Sequence, residues 1–588
     1  AKDNGPRWEK STRDLAGRII RVEKPGFSTP QVTTNTYNNK GQLIKETTTG
    51  TPAKLFHYDE WGVAYRTGLD VDHNSSLDLA SMDRVFETRN RYEKADNGWW
   101  HVNQQIIYPI ENRADTKVIA TEKSKLSGWQ NNVISEQVSI DIHGNKTRRT
   151  ERLYPKKHQR VVETFHPDSS VSSLQVFHNN QLVSSRTKTN LTTSFYYDPL
   201  GRNIARKDPR IGISKTHYNE RHRISEITDA AGNSTRFEYN DKGQKVSQIN
   251  AHKKYTRFSY TPLGQLQHTW GDVPYPLSYE YNEYGEKTRM YTYRKNFNWS
   301  SPTWPENTSG DETRWLYHKP TGLLIGNRDA QGYGVDYRYN EANKLKSRKW
   351  ARGVTTEYSY TITGELLEVN YSDETPRLIY RYDRLGRPYS ISDAVGNRIF
   401  NYNSSLQLVS EVVKGIVPHS ITRRYDSLGR SAGFSLNDQY TTTYAYDSNG
   451  RFSQLDHQIR QSNGTTRYKY LENSDLLAGY TSGPSTIDYQ YEPQRNLKTA
   501  IINSYNNEML SRYEYQYDRL GRRTNRINSG SALDNPTFSF YQYNDRNELA
   551  TEQQFLGSDL QDQSTPIHDH GRHYRYDPIG NRENATMG

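Results

Sequence analysis

Alternation, not helical spacing, organises this chain. In segment after segment two aromatic residues stand at i and i+2 around one polar residue, as in Phe258-Ser259-Tyr260, Tyr279-Glu280-Tyr281, Tyr337-Arg338-Tyr339 and Tyr358-Ser359-Tyr360. Successive side chains of a β-strand point to opposite faces, so this spacing predicts strands with one aromatic and one polar face. After each pair come Asp or Asn, two variable residues, Gly, and then Arg, Gln or Glu, as in Tyr382-Asp383-Arg384-Leu385-Gly386-Arg387. The Asx side chain can bond its own turn and Gly accepts positive φ, so the chain is expected to reverse there. A short apolar alternation follows, such as Gln265-Leu266-Gln267 or Glu365-Leu366-Leu367. A second turn then closes the unit, nearly the same at Asp229-Ala230-Ala231-Gly232-Asn233 and Asp393-Ala394-Val395-Gly396-Asn397. Helical periodicity is absent throughout.

The unit recurs at a fixed period. Tyr197, Tyr218, Tyr239, Tyr260 and Tyr281 are spaced by 21 residues. The series resumes at Tyr317, Tyr339, Tyr360, Tyr382, Tyr402, Tyr425, Tyr446, Tyr470 and Tyr491, and loosens through Tyr517, Tyr543 and Tyr576. Two strands and two turns fit that length, and a repeat of this size means stacked copies of one supersecondary unit. The expected fold is all-β, with successive hairpins pairing edge to edge into one long antiparallel sheet. Residues 1–196 read as degenerate N-terminal repeats or a cap. Residues 197–588 read as the regular repeat, interrupted by an insertion at 282–316.

Composition sharpens this picture. Hydrophobic residues are only 32% of 588, and mean hydropathy is −1.03, values that by themselves suggest disorder. The 46 tyrosines oppose that reading, because each brings a large ring and a hydroxyl suited to a partly wet interior. A net charge of +11 permits contact with polyanions, most densely at Arg148, Arg149, Arg152, Lys156, Lys157 and Arg160. No long basic tract or nucleic-acid motif accompanies it, so a solvated surface is favoured and no nucleic-acid partner is expected. With no cysteine, disulfides and thiolate metal sites are excluded. No apolar run reaches transmembrane length, and no signal peptide is visible at Ala1. The chain is read as beginning after processing or inside a larger protein.

The signatures Tyr197-Asp198-Pro199-Leu200-Gly201-Arg202, Tyr382 to Arg387, Tyr425 to Arg430, Tyr446 to Arg451, Tyr517 to Arg522 and Tyr576-Asp577-Pro578-Ile579-Gly580-Asn581-Arg582 stand in register. Fainter copies lie at Asp14 to Arg18, Tyr37 to Gln42, Tyr58 to Gly62 and Asp141 to Lys146. This pattern resembles the RHS/YD-repeat family. The resemblance implies a β-sheet strip that spirals into a hollow shell, as in bacterial Rhs toxins, the B–C cocoon of Tc toxins and the teneurin barrel; sheet twist makes such a spiral reasonable. It further implies, for toxin-type members, a self-cleaving C-terminal core rich in Asp-Pro-x-Gly followed by a variable toxin domain. Only Asp577-Pro578-Ile579-Gly580 matches, inside an ordinary repeat, so the self-cleaving site and the cargo are expected to be absent from these residues.

Departures from the repeat carry the candidate chemistry. Around the insertion stand Trp270, Asp272, Phe297, Trp299, Trp304, Arg314 and Trp315, with Trp350 shortly after. Tryptophan faces beside charged groups suit sugar rings, which makes Trp270, Asp272, Trp299, Trp304, Arg314, Trp315 and Trp350 candidate glycan contacts. Read structurally, the same tryptophans anchor a loop that plugs or caps the lumen, and this reading is favoured. At Tyr218-Asn219-Glu220-Arg221-His222-Arg223 a His replaces the turn Gly; His217, Tyr218, His222 and Arg223 are acid–base candidates for β-elimination on an acidic glycan, against the blander reading of a varied turn. In His568-Asp569-His570 the two histidines would share a face if on a strand, but no third ligand is fixed by the sequence, so no metal site and no cofactor are expected.

No nucleophile elbow, P-loop, dinucleotide fingerprint or His-Glu-x-x-His occurs. The function read from the sequence is a non-catalytic shell, exported or on a bacterial surface, that encloses a polypeptide or presents a binding surface. The alternatives are a protein that binds or cleaves acidic polysaccharides, and a filament or envelope subunit that pairs with copies of itself through open sheet edges.

Overall fold

The computed structural model describes residues 5–95, 98–295 and 297–587. It is all-β: among the described residues 48 strands form one antiparallel sheet. Each strand pairs with its neighbour in sequence, from Lys10–Arg13 on Ile19–Lys24 to Arg572–Tyr576 on Arg582–Met587. Two single 3-10 turns, Pro155–Lys157 and His568–His570, are the only helical pieces among the described residues. Among the described residues no helix is long and apolar enough to cross a membrane.

The repeat builds itself from its turn outward. Asp198 Oδ1 accepts from the backbone N–H groups of Leu200 and Arg202, while Oδ2 accepts from Arg202 Nε at 2.7 Å. Gly201 sits at φ 79°, where a side chain would be strained. The Arg202 guanidinium then lies 4.6 Å from the ring centre of Tyr218, the next repeat's tyrosine. The same arrangement recurs with Asp383, Arg387 and Tyr402, with Asp426, Arg430 and Tyr446, and with Asp518, Arg522 and Tyr543. The motif therefore links turn to turn.

A second link runs through the tyrosine hydroxyl. Where Tyr218 meets Ile224 the register shifts by one residue, a bulge that disrupts the ladder locally. Tyr239, one repeat on, donates its hydroxyl to the Ile224 carbonyl, 15 residues back. Tyr260 does the same to Lys245, which faces Tyr239 across its own bulge, and Tyr281 to Leu266, which faces Tyr260. The chain of bonds survives the interruption, since Tyr317 donates to Lys287 opposite Tyr281. It continues to Tyr576, which donates to Leu549 opposite Tyr543.

The N-terminal strands belong to the same sheet but differ in build. The hydroxyl link is made at Tyr37 and Tyr58 and resumes at Tyr197. Between them lie longer strands, including Arg84–Ala95 and Gly98–Ile107, whose inward residues Val102 and Ile106 are buried.

Contacts far apart in sequence show how the strip closes. Side-chain bonds join residues 266 to 316 positions apart all along it, between Phe27 and Asn343, Arg84 and Glu365, Asn145 and Leu428, Arg210 and Asn496, His252 and Asp518, and Lys254 and Asp545. Such a steady offset is the signature of a spiral: loops of the first turn rest on Asp/Asn turns of the second, and 588 residues make about two turns. Accessible area shows that the spiral is hollow. A compact monomer of 68.4 kDa has about 21,000 Å² by the usual scaling. This chain has 33916 Å², as a single sheet wetted on both faces requires.

Candidate functional site

The insertion is smaller than its spacing suggests. Lys287–Thr292 and Asp311–Tyr317 pair as an ordinary hairpin, so only residues 293–310 leave the lattice. Within this excursion Trp299 packs on Trp304 at 5.1 Å and on Tyr293 at 5.3 Å, and Trp304 meets Trp270 edge-on at 5.7 Å. Trp270 and Trp299 are buried. Trp270 Nε1 and Arg257 Nε both donate to the Ser301 carbonyl, and Ser300 Oγ donates to Asp272. His268 stacks on Trp304 at 4.2 Å, and burial pushes its imidazole pKa down, favouring the neutral ring. Four of the seven candidate glycan contacts (Trp270, Asp272, Trp299 and Trp304) are thus knotted together as packing and its ties.

The other three are placed apart. Trp350 donates its indole N–H to Thr356 and is covered by the Arg348 guanidinium at 3.5 Å. Arg314, paired with Glu312 at 2.7 Å, and Trp315 border a groove of about 520 Å³ with Arg7, Tyr284 and Arg289. The acid–base candidates do not converge. His217 and Tyr218 are consecutive on one strand and face opposite ways. Tyr218 donates to the Asn203 carbonyl, His222 occupies the left-handed turn position at φ 60° beside Arg202, and Arg223 lies by the Tyr239 ring. His568 and His570 lie in a 3-10 turn rather than on a strand, with His570 bonded to Gln554. The basic cluster is largely neutralised across its ladder: Arg148 pairs with Glu136, Arg152 with Glu163, and Arg160 with Glu151.

What the sequence pattern left unmarked is the seam. Arg384 is a variable residue of one repeat turn, yet it is 2% exposed. It donates to the backbone carbonyls of Asp78, Leu79, Asp83, Ile110 and Arg113, all in loops of the first turn. Nearby, Arg84 pairs with Glu365. Burial opposes ionisation of Glu365, but hydrogen bonds from Arg84, Thr361 and Thr363 outweigh it and hold its pKa at about 2. Farther along, Tyr275 donates to Glu548 while Arg546 stacks on its ring at 4.5 Å.

The RHS Repeat profile matches residues 218–253. That segment is an RHS repeat. In sequence it is similar to the Double-stranded DNA deaminase toxin A of Burkholderia cenocepacia (strain H111), at 23% identity over 60% of this chain and 29% of that protein. The chain therefore spans less than a third of that relative. In fold it is similar to a solved Photorhabdus luminescens Tc holotoxin pore, with TM-score 0.51, 12% identity and coverage of 95% of this chain and 32% of that one. The TcdB2-TccC3-TEV crystal structure matches with TM-score 0.46 and 11% identity, over 98% of this chain and 38% of its own.

The spiral has a division of labour. Its tyrosines, turn carboxylates and turn arginines hold neighbouring repeats, its inserted tryptophans hold one excursion, and its seam residues hold one turn of the spiral on the next. Another unmarked feature is the loop after Asp70, whose Asp70-x-Asp72-x-Asn74 spacing was available as a signal.

Proposed function

We propose that this chain is the non-catalytic wall of an exported bacterial shell that encloses a polypeptide. The observation that carries the reading is the hollow build: an accessible area of 33916 Å², where a compact protein of this mass has about 21,000 Å². A two-faced sheet of this kind has an interior that needs no side-chain core and is free to hold something else. The polar-aromatic surface such a lattice presents suits an unfolded chain, because tyrosine and arginine offer apolar faces and donors without a fixed shape requirement. The likeness to a toxin relative and to the Tc holotoxin pore supports a role in a secreted toxin assembly. A protease-sensitive, unstructured reporter fused after Gly588 tests it. Protection of the reporter in the native protein, lost on denaturation, is the expected result; cleavage at the rate of free reporter overturns the reading.

One observation favours a second reading. The groove beside Arg314 and Trp315 gathers three aromatic residues, Tyr284, Trp315 and Tyr317, with Arg7, Arg289 and Arg314 paired to Glu286, Glu280 and Glu312, so the stacking faces, more than free positive charge, would hold a sugar ring. Saturable uronate-polymer binding lost in Trp315→Ala supports it, and binding unaffected by that change removes it.

A further inference from the structure

The loop joining strand Ala64–Asp70 to strand Arg84–Ala95 contains an acidic cluster with no direct ion pair. Carboxylate oxygens of Asp70, Asp72 and Asp83 all lie within 4.8 Å of one another. Asp70 is 1% exposed and Asp83 0%. No salt bridge reaches these three among the described residues. Arg384 is buried and lies within electrostatic reach of Asp83, but it spends its donors on the backbone carbonyls of Asp78, Leu79 and Asp83, so one cation that pairs directly with none of them faces three carboxylates. Burying carboxylates together is costly unless a positive charge joins them.

Backbone donors serve most of the oxygens. Asp70 Oδ2 accepts from Ser75 N–H, Asp72 Oδ1 from Asn74 N–H, and the two oxygens of Asp83 from Val71 and Asp78 N–H. Asp72 Oδ2 accepts from the Asn74 side-chain amide, which leaves Asp70 Oδ1 alone, buried and without a hydrogen-bond partner. A lone carboxylate oxygen, desolvated and held among two other carboxylates, needs a cation. The donors are all hard oxygens, which select calcium, magnesium or manganese over softer metals. Asp70-x-Asp72-x-Asn74 also reproduces the opening of a calcium loop, and Ser75 takes the left-handed conformation, φ 67°, that such loops assign to Gly. An irregular loop suits the variable coordination of calcium better than the strict octahedron of magnesium.

We propose that Asp70, Asp72 and Asp83 bind one calcium ion, and that the ion orders the loop whose carbonyls grip Arg384. Calcium thereby fastens the first turn of the spiral to the second.

Calorimetric titration of calcium chloride into the intact, chelator-treated chain tests the site. The expected result is one calcium per chain with a Kd at or below about 1 mM, as in extracellular calcium modules. Calcium should also slow hydrogen exchange in residues 70–83 and 382–386. Asp72→Asn, an exposed substitution, should weaken binding at least about tenfold while matching the unaltered protein's melting temperature in chelator. Asp70→Asn, which keeps an acceptor for Ser75, is a second variant with the same expected loss. No calcium uptake at millimolar concentration, uptake unchanged in both variants, or equal affinity for magnesium would each overturn the assignment.

Discussion

Tyr239 donates its hydroxyl to the carbonyl of Ile224 at 2.8 Å, and Ile224 is the residue that faces Tyr218 across a bulge. Each repeat thus supplies the donor that its predecessor's bulge leaves wanting. This relation explains why tyrosine, and not phenylalanine, holds that position: the ring alone would fill the face but leave a carbonyl unserved.

Tyr239→Phe is expected to lower stability by about 1 kcal/mol, the net worth of one such bond. Tyr196→Phe, at an exposed position outside the series, should change it by less than about 0.5 kcal/mol. Chemical denaturation of the two variants beside the parent checks both. Equal effects would contradict a role for the hydroxyl.

Arg384 makes a sharper test, since one side chain joins loops about 300 residues away. Arg384→Ala strands several carbonyls and opens a buried site, and should cost at least about 3 kcal/mol. Hydrogen exchange should quicken in residues 78–83 and 110–113. Arg381→Ala, three residues earlier and exposed, should leave both readouts unchanged.

The repeat itself was legible in the sequence, and the reason is physical: strand alternation, Asx turns and turn glycines are local, and local chemistry leaves a local trace. Arg384 was not, because it looks like Arg519 in its own turn and gains its meaning only when the strip comes round upon itself. The tryptophans were half-legible. Their grouping around 293–310 could be seen, but whether they faced ligand or one another depended on folding of the excursion, and Trp270, Trp299 and Trp304 chose one another. The site at Asp70 went unread because its third carboxylate, Asp83, falls outside the spacing of a standard loop.

Acid should loosen the seam and the repeat turns together. The Glu365 pKa is held at about 2, below its ordinary value of 4.5, by Arg84, Thr361 and Thr363 against the opposing effect of burial. A depressed carboxyl pKa contributes stability that is complete above the unfolded value and lost as pH falls from about 4.5 toward 2. The turn carboxylates are also lowered: burial opposes ionisation of Asp426 and Asp518 but backbone and side-chain bonds from Arg430 and Arg522 outweigh it, and at Asp198 the Arg202 side chain dominates. Melting temperature should therefore fall across this window, and Glu365→Gln should flatten part of the fall.

Trp299→Ala should behave as a core truncation, with a loss of about 3 to 5 kcal/mol and a red shift in the remaining tryptophan emission. Uronate-polymer binding, if present, should survive it in the fraction that remains folded. Loss of such binding without loss of stability would return the cluster to the glycan reading.

The hollow spiral is the claim on which the rest depends, and small-angle X-ray scattering of the intact chain tests it most directly. A compact protein of 588 residues has a radius of gyration of about 25 Å. The account predicts a clearly larger radius, with a reconstructed envelope that is closed and less dense at its centre than at its wall. A radius near 25 Å with uniform interior density would contradict it.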